Sequence, residues 1–576
     1  MILEVEDLAI NARGLPAVDG VNLGVRPGEI LGLVGESGSG KSLTALSIMG
    51  MLPAGVRASR GSIRFDGRDL LKLSQSELRE VRGKDIGMVF QDPLAYLNPR
   101  LTVGDQLAEA LTVHGASRGH AAGRAAELLD LVGVPNAAAR VKDYPHQFSG
   151  GQRQRVLIAM AMANEPRVLL ADEPTTALDV TVQAGILTLL KRLRDETGTA
   201  VVIITHDMGI VEQVCDTAAV MYGGHIVEHG PARTLLTRPR HPYTAGLLRS
   251  VPRLASEPVR RLPVIPGAPP DLAERPPGCP FSPRCDRADD RCGERPPLDD
   301  GFACWHPLSE TVLAVREPYT PPEPRASEPV IRAENVTVTY GRRKRAVRAV
   351  KGVSLTAAPG QTVGIIGESG SGKSTLARAL LGLLPAAGTI TVAGRSWAGA
   401  SKAEQLAMRR AVQMVFQDPY LSLNPRLSIR DTLAEPYEVH GLCPAEEVPE
   451  RLGVLMDQVG LPRPFLDRYP YQLSGGQRQR IGVARSLAVE PQIIVADEPV
   501  SALDVSVQAQ ILNLLADLRD EVGVGIVFIA HDLGLVRHFC DETLVMYQGE
   551  VVERGPSHRL FEAPEHPYTK TLIAAA

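Results

Sequence analysis

The stretch GESGSGKS at Gly35–Ser42 follows the apolar run EILGLV, and the same eight residues return at Gly367–Ser374. A Gly-x4-Gly-Lys-Ser string between a strand and a helix lets successive backbone N–H groups ring a phosphate, the glycines permitting the tight path. Gly35, Ser37, Gly38 and Gly40 form one cradle, and Gly367, Ser369, Gly370 and Gly372 the other. Lys41 and Lys373 are placed to reach β- and γ-phosphates, with Ser42 and Ser374 as Mg²⁺ ligands.

Outward from each loop, further strings recur in the same order. The first copy continues with FSGGQ at Phe148–Gln152, VLLADEP at Val168–Pro174 and ITHD ending at Asp207. The second has LSGGQ at Leu473–Gln477, IIVADEP at Ile493–Pro499 and IAHD ending at Asp532. Ser149 and Ser474, Asp172 and Asp497, and His206 and His531 all stand 325 positions apart, whereas the two phosphate loops stand 332 apart. A period this long is duplication of a whole domain, not a solenoid. Asp172 and Asp497 are expected to hold the metal, and Glu173 and Glu498 to polarise the attacking water.

Short apolar runs (EILGLVG, DIGMVF, RVLLAD, AVVIITHD) ending in turns or helix starts read as buried strands of an α/β core. At 44% hydrophobic and 22% charged, the 576-residue chain has an ordinary soluble composition. Its net charge of −4 does not point to nucleic acid. No apolar stretch approaches the ~20 residues that cross a bilayer, and MILEVEDLAI reads as a first strand, not a signal peptide. A cytoplasmic chain is expected, with any membrane role reached through a partner.

The SGGQ strings, with ALD at 177–179 and 502–504, resemble the ABC transporter ATPase family over nearly all of both halves. The resemblance implies two tandem P-loop nucleotide-binding domains of α/β class, each with a RecA-like core, an antiparallel β subdomain and an α-helical subdomain. It implies ATP and Mg²⁺ as ligands and head-to-tail closure. Lys41 then shares ATP with Ser474, Gly475, Gly476 and Gln477, and Lys373 with Ser149, Gly150, Gly151 and Gln152. Asp179 and Asp504 belong to the D-loops. Gln91 and Gln417 become Q-loop residues sensing metal and water, and His206 and His531 contact the γ-phosphate. Tyr340 stacks on adenine, where the first copy has Ala12; Thr375 offers a hydroxyl where the first copy has Leu43. Weaker nucleotide binding at Lys41 than at Lys373 is therefore expected.

FQDPLAYLNPRLTV and FQDPYLSLNPRLSI, together with HPYT at His241 and His566, resemble the peptide and nickel importer branch of that family. The chain looks like a fused D-type and F-type ATPase pair. The partners so implied are two integral-membrane permease subunits, met near 96–100 and 421–426, and an extracytoplasmic peptide-binding protein. The expected place is the cytoplasmic face of the inner membrane, held only through the permeases, with no nucleic acid. Dipeptides, oligopeptides, glutathione and nickel chelates remain open as cargo. A soluble tandem ATPase acting on ribosomes or nucleic acid is the alternative class; the acidic balance and the LNPR and HPYT strings argue against it.

The expected domains are 1–254, a Cys-rich segment 255–315, a Pro-rich linker 316–329 and 330–576. Cys279, Cys285, Cys292 and Cys304 lie in the Cys-rich segment, spaced C-x5-C-x6-C-x11-C. Four close thiolates can hold one metal centre, and spacing alone does not choose between zinc and iron–sulfur. Resemblance to D-type subunits, where this pattern binds a [4Fe–4S] cluster, favours the cluster. Cys215 and Cys540 read as small buried residues, Cys443 as incidental, and His306 as a bystander.

Overall fold

A computed structural model describes all residues except 177, 251–253, 255–258, 260, 310–326, 342–345, 419–421, 502 and 575–576. Most of the expected linker, the alanines of both ALD strings and Leu421 fall outside the described residues.

In the first half, β1 (Leu3–Ala12), β2 (Leu15–Val25), β4 (Val56–Phe65) and β5 (Arg68–Asp69) form an antiparallel sheet. A six-stranded sheet in the order β10-β9-β3-β8-β7-β6 is the core. Its members are β3 (Ile30–Val34), β6 (Ile86–Val89), β7 (Val168–Asp172), β8 (Ala200–Thr205), β9 (Thr217–Tyr222) and β10 (His225–Pro231). All neighbours pair in parallel except β10, which runs antiparallel on β9. Strands β3, β7 and β8 are buried at every position, so they read as unbroken apolar runs and not as alternation. Helices Val103–Thr112, Arg118–Leu131 and Gly150–Met162 pack together beside this sheet as a helical layer.

The second half repeats the plan with β11 (Ile331–Tyr340), β12 (Val347–Ala357), β13 (Thr362–Ile366), β14 (Ala387–Val392) and β15 (Arg395–Ser396). It is completed by β16 (Val412–Val415), β17 (Ile493–Asp497), β18 (Gly525–Ile529), β19 (Glu542–Tyr547) and β20 (Glu550–Pro556). The shifting offset has a location. Arg13 and Gly14 close the β1–β2 hairpin in the first copy, whereas 341–346 join β11 and β12 in the second. The loss that follows falls largely in the exposed arm of β4, ten residues long against six in β14.

The segment after the first half is not a free tether. Val259 and Leu262 are buried in the core of the second half. Leu262 exchanges two backbone hydrogen bonds with the Asn513 side chain, at 2.9 and 2.8 Å, on helix Val505–Asp517. Farther along, Ile265, Cys279, Phe281 and Cys292 join Tyr222 and Tyr243 in the core of the first half. This stretch therefore lies across both halves. Among the described residues no helix is long and apolar enough to cross a membrane.

Candidate active sites at the two phosphate loops

Both loops sit at the carboxyl end of a central strand, β3 or β13, beside a helix N-terminus, where open α/β sheets bind ligands. Glycine is required there by space as well as by φ. A Cβ on Gly35 would come within 2.1 Å of the Met221 carbonyl oxygen, and one on Gly367 equally close to that of Met546. Gly40 and Gly372, at φ near +103 and +102, open the two helices from the left-handed region. Lys41 Nζ donates to the Gly35 and Glu36 carbonyls at 2.7 and 3.0 Å, and Lys373 Nζ to those of Gly367 and Glu368 at 2.7 and 2.9 Å. Burial pushes both ammonium pKa values down, opposed by the acidic groups around them.

The acidic strands arrive opposite. Ser42 Oγ donates to Asp172 at 3.2 Å and Ser374 Oγ to Asp497 at 2.9 Å, so each expected metal pair is in contact. Burial raises both aspartates. Glu173 and Glu498 hold φ of 46° and 47°, a left-handed conformation that costs a non-glycine residue on the order of 1–3 kcal/mol. Gln91 Nε2 donates to Glu173 at 2.6 Å, the Thr176 hydroxyl at 2.9 Å, and His206 Nδ1 lies 3.2 Å away. Gln417 Nε2 donates to Glu498 at 2.7 Å, with His531 Nδ1 at 3.5 Å. Burial alone would raise the Glu173 carboxyl, but His206, Thr176 and Lys41 together bring it down to about 2. Glu498 is lowered on the same balance, burial opposed by His531 and Lys373. His206 and His531 are raised: burial opposes their charge, and the glutamates outweigh it.

The halves meet head to tail. The Ser37 N–H and hydroxyl donate to Asp504 at 2.9 and 3.0 Å, and the Ser369 N–H to Asp179 at 3.3 Å. Thr181 Oγ1 donates to Glu368 at 2.9 Å, while the Ser506 hydroxyl bonds Glu36. A cavity of about 370 Å³ at the second loop joins Lys373, Ser374, Thr375, Gln417, Glu498 and His531. The first half contributes Leu178 and Asp179 to its wall; Ser149, Gly150, Gly151 and Gln152 are not in that wall. Ser149 and Ser474 cap their own helices, each in a reciprocal box with Gln152 or Gln477. Gly151 and Gly476 are held close against Val182 and Val507, where a Cβ would come within 2.3 Å of a methyl. Tyr340 ends β11, 42% exposed, with its hydroxyl 3.4 Å from Thr375; Ala12 ends β1 in the same way.

The ABC transporter family model matches residues 18–176 and 350–501, and a model of the oligopeptide/dipeptide transporter C-terminal region matches 227–292 and 552–576. Similarity extends over whole chains. The oligopeptide transport ATP-binding protein OppD of Mycobacterium tuberculosis (strain ATCC 25618 / H37Rv) is 47% identical, spanning 100% of this chain and 98% of the relative. The glutathione import ATP-binding protein GsiA of Escherichia coli (strain K12) is 42% identical, spanning 100% of this chain and 89% of the relative. This chain belongs to the ABC transporter family. It carries two ATP-binding cassettes.

The HPYT strings act on the cassettes' phosphate loops in a way their sequence alone did not disclose. The Glu36 N–H donates to the Tyr243 hydroxyl at 2.9 Å, and that of Glu368 to the Tyr568 hydroxyl at 3.0 Å. Their recurrence 325 positions apart was the available signal.

All four segment cysteines line one small cavity with His241 and Phe281. Burial pushes up the thiols of Cys279 and Cys285, and that of Cys304 to about 11, with the neighbouring cysteines adding to each shift. Among the described residues, the only three ligand-type atoms within 4.8 Å of one another belong to Asp289, Cys292 and His306. His306 Nε2 lies 2.9 Å from Asp289, so it is nearer the cysteines' chemistry than the sequence suggested. His241 accepts the Tyr243 N–H on Nδ1 at 3.0 Å, which leaves the proton on Nε2; that buried nitrogen has no hydrogen-bond partner among the described residues. Burial brings its pKa down to about 3. Away from this site, burial lifts the Cys215 thiol to about 12 and pushes the Cys540 thiol well up, as small residues packed against the core.

Proposed function

We propose that this chain is the energy-coupling ATPase of a bacterial importer, taking peptides or a peptide-like cargo such as glutathione through two permease subunits. The observation that carries this reading is the reciprocal docking of Asp504 on Ser37 and Asp179 on Ser369, which gives one chain two facing sites. Full-length similarity to OppD and GsiA supports the importer and its cargo class. The domains are proposed as two cassettes, 1–254 and 330–576, joined by the Cys-rich segment 255–315 and the linker 316–329. The permeases and an extracytoplasmic binding protein are the partners, and the chain sits on the cytoplasmic face only through the permeases.

At each site the phosphate loop and its lysine hold the triphosphate, and the serine–aspartate pair would hold Mg²⁺, which would supply positive charge against that developing on the phosphate. Glu173 or Glu498 orients and polarises water, and the switch histidine and Q-loop glutamine fix that carboxylate; a positioned general base contributes about 10²–10⁴-fold. The signature residues Ser474–Gln477 and Ser149–Gln152 are assigned to the closed state of the opposite loop. Closure swings them over bound ATP, and hydrolysis lets the D-loop contacts part.

The four cysteines are proposed to hold a [4Fe–4S] cluster. Zinc held by four thiolates at about 2.3 Å needs sulfurs within about 3.8 Å of one another, whereas among the described residues no three of these cysteine sulfurs lie within 4.8 Å of one another. The orphaned His241 N–H suits an anionic sulfur centre. The cluster supplies a structural staple; no step of hydrolysis passes through it.

The test is ATPase activity of the chain reconstituted with its permeases and binding protein against a ligand panel. Stimulation by peptides or glutathione is expected. Stimulation by ribosomes or nucleic acid, without permease assembly, overturns the reading. Glu173→Gln with Glu498→Gln should abolish turnover while retaining ATP.

A further inference from the structure

The two phosphate loops are alike in backbone but not in what faces their second residue. Glu36 is 2% exposed and receives both arms of a guanidinium: Arg284 Nη1 lies 2.7 Å from Oε2 and Nη2 3.3 Å from Oε1. Arg284 belongs to the Cys-rich segment, immediately before Cys285, and is itself buried. It is anchored from its own side by Nε donating to the Pro266 carbonyl at 2.7 Å and Nη1 to the Tyr222 hydroxyl at 3.2 Å. The carbonyl of Glu36 is one of the two that receive Lys41, and its Oε1 also accepts Ser506 from the second cassette. Glu368 has the matching tyrosine, lysine and cross-cassette hydroxyl contacts. Among the described residues, however, no basic side chain pairs with it, and it is only half-buried.

A buried carboxylate is tolerated only when paired, and removing one partner of a buried ion pair leaves an uncompensated charge. Glu36 is thus held in place by a residue outside the cassette fold, whereas Glu368 keeps its place with access to water. The segment that supplies Arg284 is tied at 262–265 to helix Val505–Asp517, the helix whose first turn carries Ser506.

We propose that Arg284 is a positioning residue of the first ATP site, through which the folding of the cysteine segment sets nucleotide affinity at Lys41 and not at Lys373. Its upstream half rests on the reading that the cysteines hold a metal centre; the Arg284–Glu36 link does not. With the segment folded, Arg284 fixes Glu36, and with it the carbonyl beside Lys41 and the Ser506 contact. With the segment unfolded, Glu36 turns to water and the loop loses its grip. The first site is then conditional on the segment and the second is not.

The experiment uses the full chain and titrates a fluorescent ATP analogue in two backgrounds: Lys373→Ala, which reports the first site, and Lys41→Ala, which reports the second. Arg284→Gln is expected to weaken binding roughly tenfold or more in the first background and less than about twofold in the second. Iron and sulfide content should match the parent. Adding Glu36→Gln to Arg284→Gln removes both charges and should recover most of the lost affinity, which a merely structural arginine would not permit. Arg284→Lys keeps a buried charge and should fall between parent and Arg284→Gln if the latter folds poorly. Cys285→Ser should reproduce the selective loss together with loss of iron. Equal weakening at both sites, or unchanged binding at the first, overturns the proposal. A parent chain without iron in which Arg284→Gln still acts selectively overturns the cluster reading and leaves the Arg284–Glu36 link standing.

Discussion

Replacing Tyr340 by alanine should weaken nucleotide binding at the second cassette and bring it toward the first. Tyr340 ends β11 with its hydroxyl 3.4 Å from Thr375, the residue after Ser374, the proposed Mg²⁺ ligand, so the ring borders the phosphate loop. It is 42% exposed and has surface left to cover. Stacking a base on an aromatic ring contributes about 1–3 kcal/mol. Taking the middle of that range, because part of the ring is already covered by protein, gives about 2 kcal/mol, or roughly 30-fold in affinity. Ala12 ends β1 at the equivalent place, beside the tight Arg13–Gly14 turn, and has no ring to lose. The assay is titration of a fluorescent ATP analogue with Lys41→Ala as background. Ala12→Tyr in the Lys373→Ala background provides the reciprocal gain. A change below about twofold for Tyr340→Ala, or equal affinities of the two parent backgrounds, refutes the stacking asymmetry.

Three further outcomes follow from local geometry. Gly278→Ala sets a Cβ 2.2 Å from the Cys292 carbonyl, which already accepts the Cys279 N–H at 2.9 Å, so iron content should fall sharply by colorimetric assay while Tyr340 still binds nucleotide. Gly151→Ala drives a Cβ to 2.3 Å from the Val182 methyl; it should lower the melting temperature and the ATPase rate together, whereas Gly150→Ala, with only Leu178 at 3.7 Å, should spare stability. The Glu173–His206 pair sets a pH window. Folding lowers the Glu173 carboxyl from 4.5 to about 2, so its contribution is full above 4.5 and is lost as pH falls toward 2. Folding raises His206 from 6.5, so its contribution is full below 6.5 and is lost as pH rises through the folded value. The melting-temperature gap between parent and His206→Ala should therefore be widest between about pH 4.5 and 6.5 and narrow as pH rises through the folded His206 value. A gap that widens above pH 7 contradicts the ion pair.

Much of each cassette was legible because its chemistry is local. GESGSGKS must bend where only glycine fits, and the apolar runs EILGLVG, RVLLAD and AVVIITHD became β3, β7 and β8 because a parallel sheet covered on both faces needs unbroken apolar strands. Gln91 met Glu173 because the neighbouring strands β6 and β7 deliver them, and Ser42 met Asp172 across β8, which lies between β3 and β7 in the same sheet. The signature strings were legible as motifs, but at the second phosphate loop the first half lines the cavity with Leu178 and Asp179 and not with Ser149–Gln152. Glu36 carried no signal at all: its partners Arg284 and Ser506 lie 248 and 470 residues away, and no periodicity encodes such a meeting. The run VRRLPVIP at 259–266 did hold a clue. Its apolar residues Val259, Leu262 and Ile265 recur every third position, too regular for a solvated tether, and each is buried against a cassette.

Duplication copied the backbone and the reacting groups, and divergence then worked on what presses against them. Each phosphate-loop glutamate keeps a tyrosine on its N–H, a lysine on its carbonyl and a hydroxyl from the other cassette on its carboxylate. Among the described residues only Glu36 gains an arginine, and Tyr340 offers a ring where the first copy has Ala12. On the proposals above the two differences act in opposite places: the first cassette would be stiffened from the segment side of its loop, and the second would gain a better surface for the base. A chain built this way keeps two sites able to close on each other while giving each a different reason to hold nucleotide. Because the stiffening comes from residues lying across both cassettes, loosening the segment would disturb the first loop and the Ser506 contact at once, while Asp179 and Ser369 at the second loop would be left where they are.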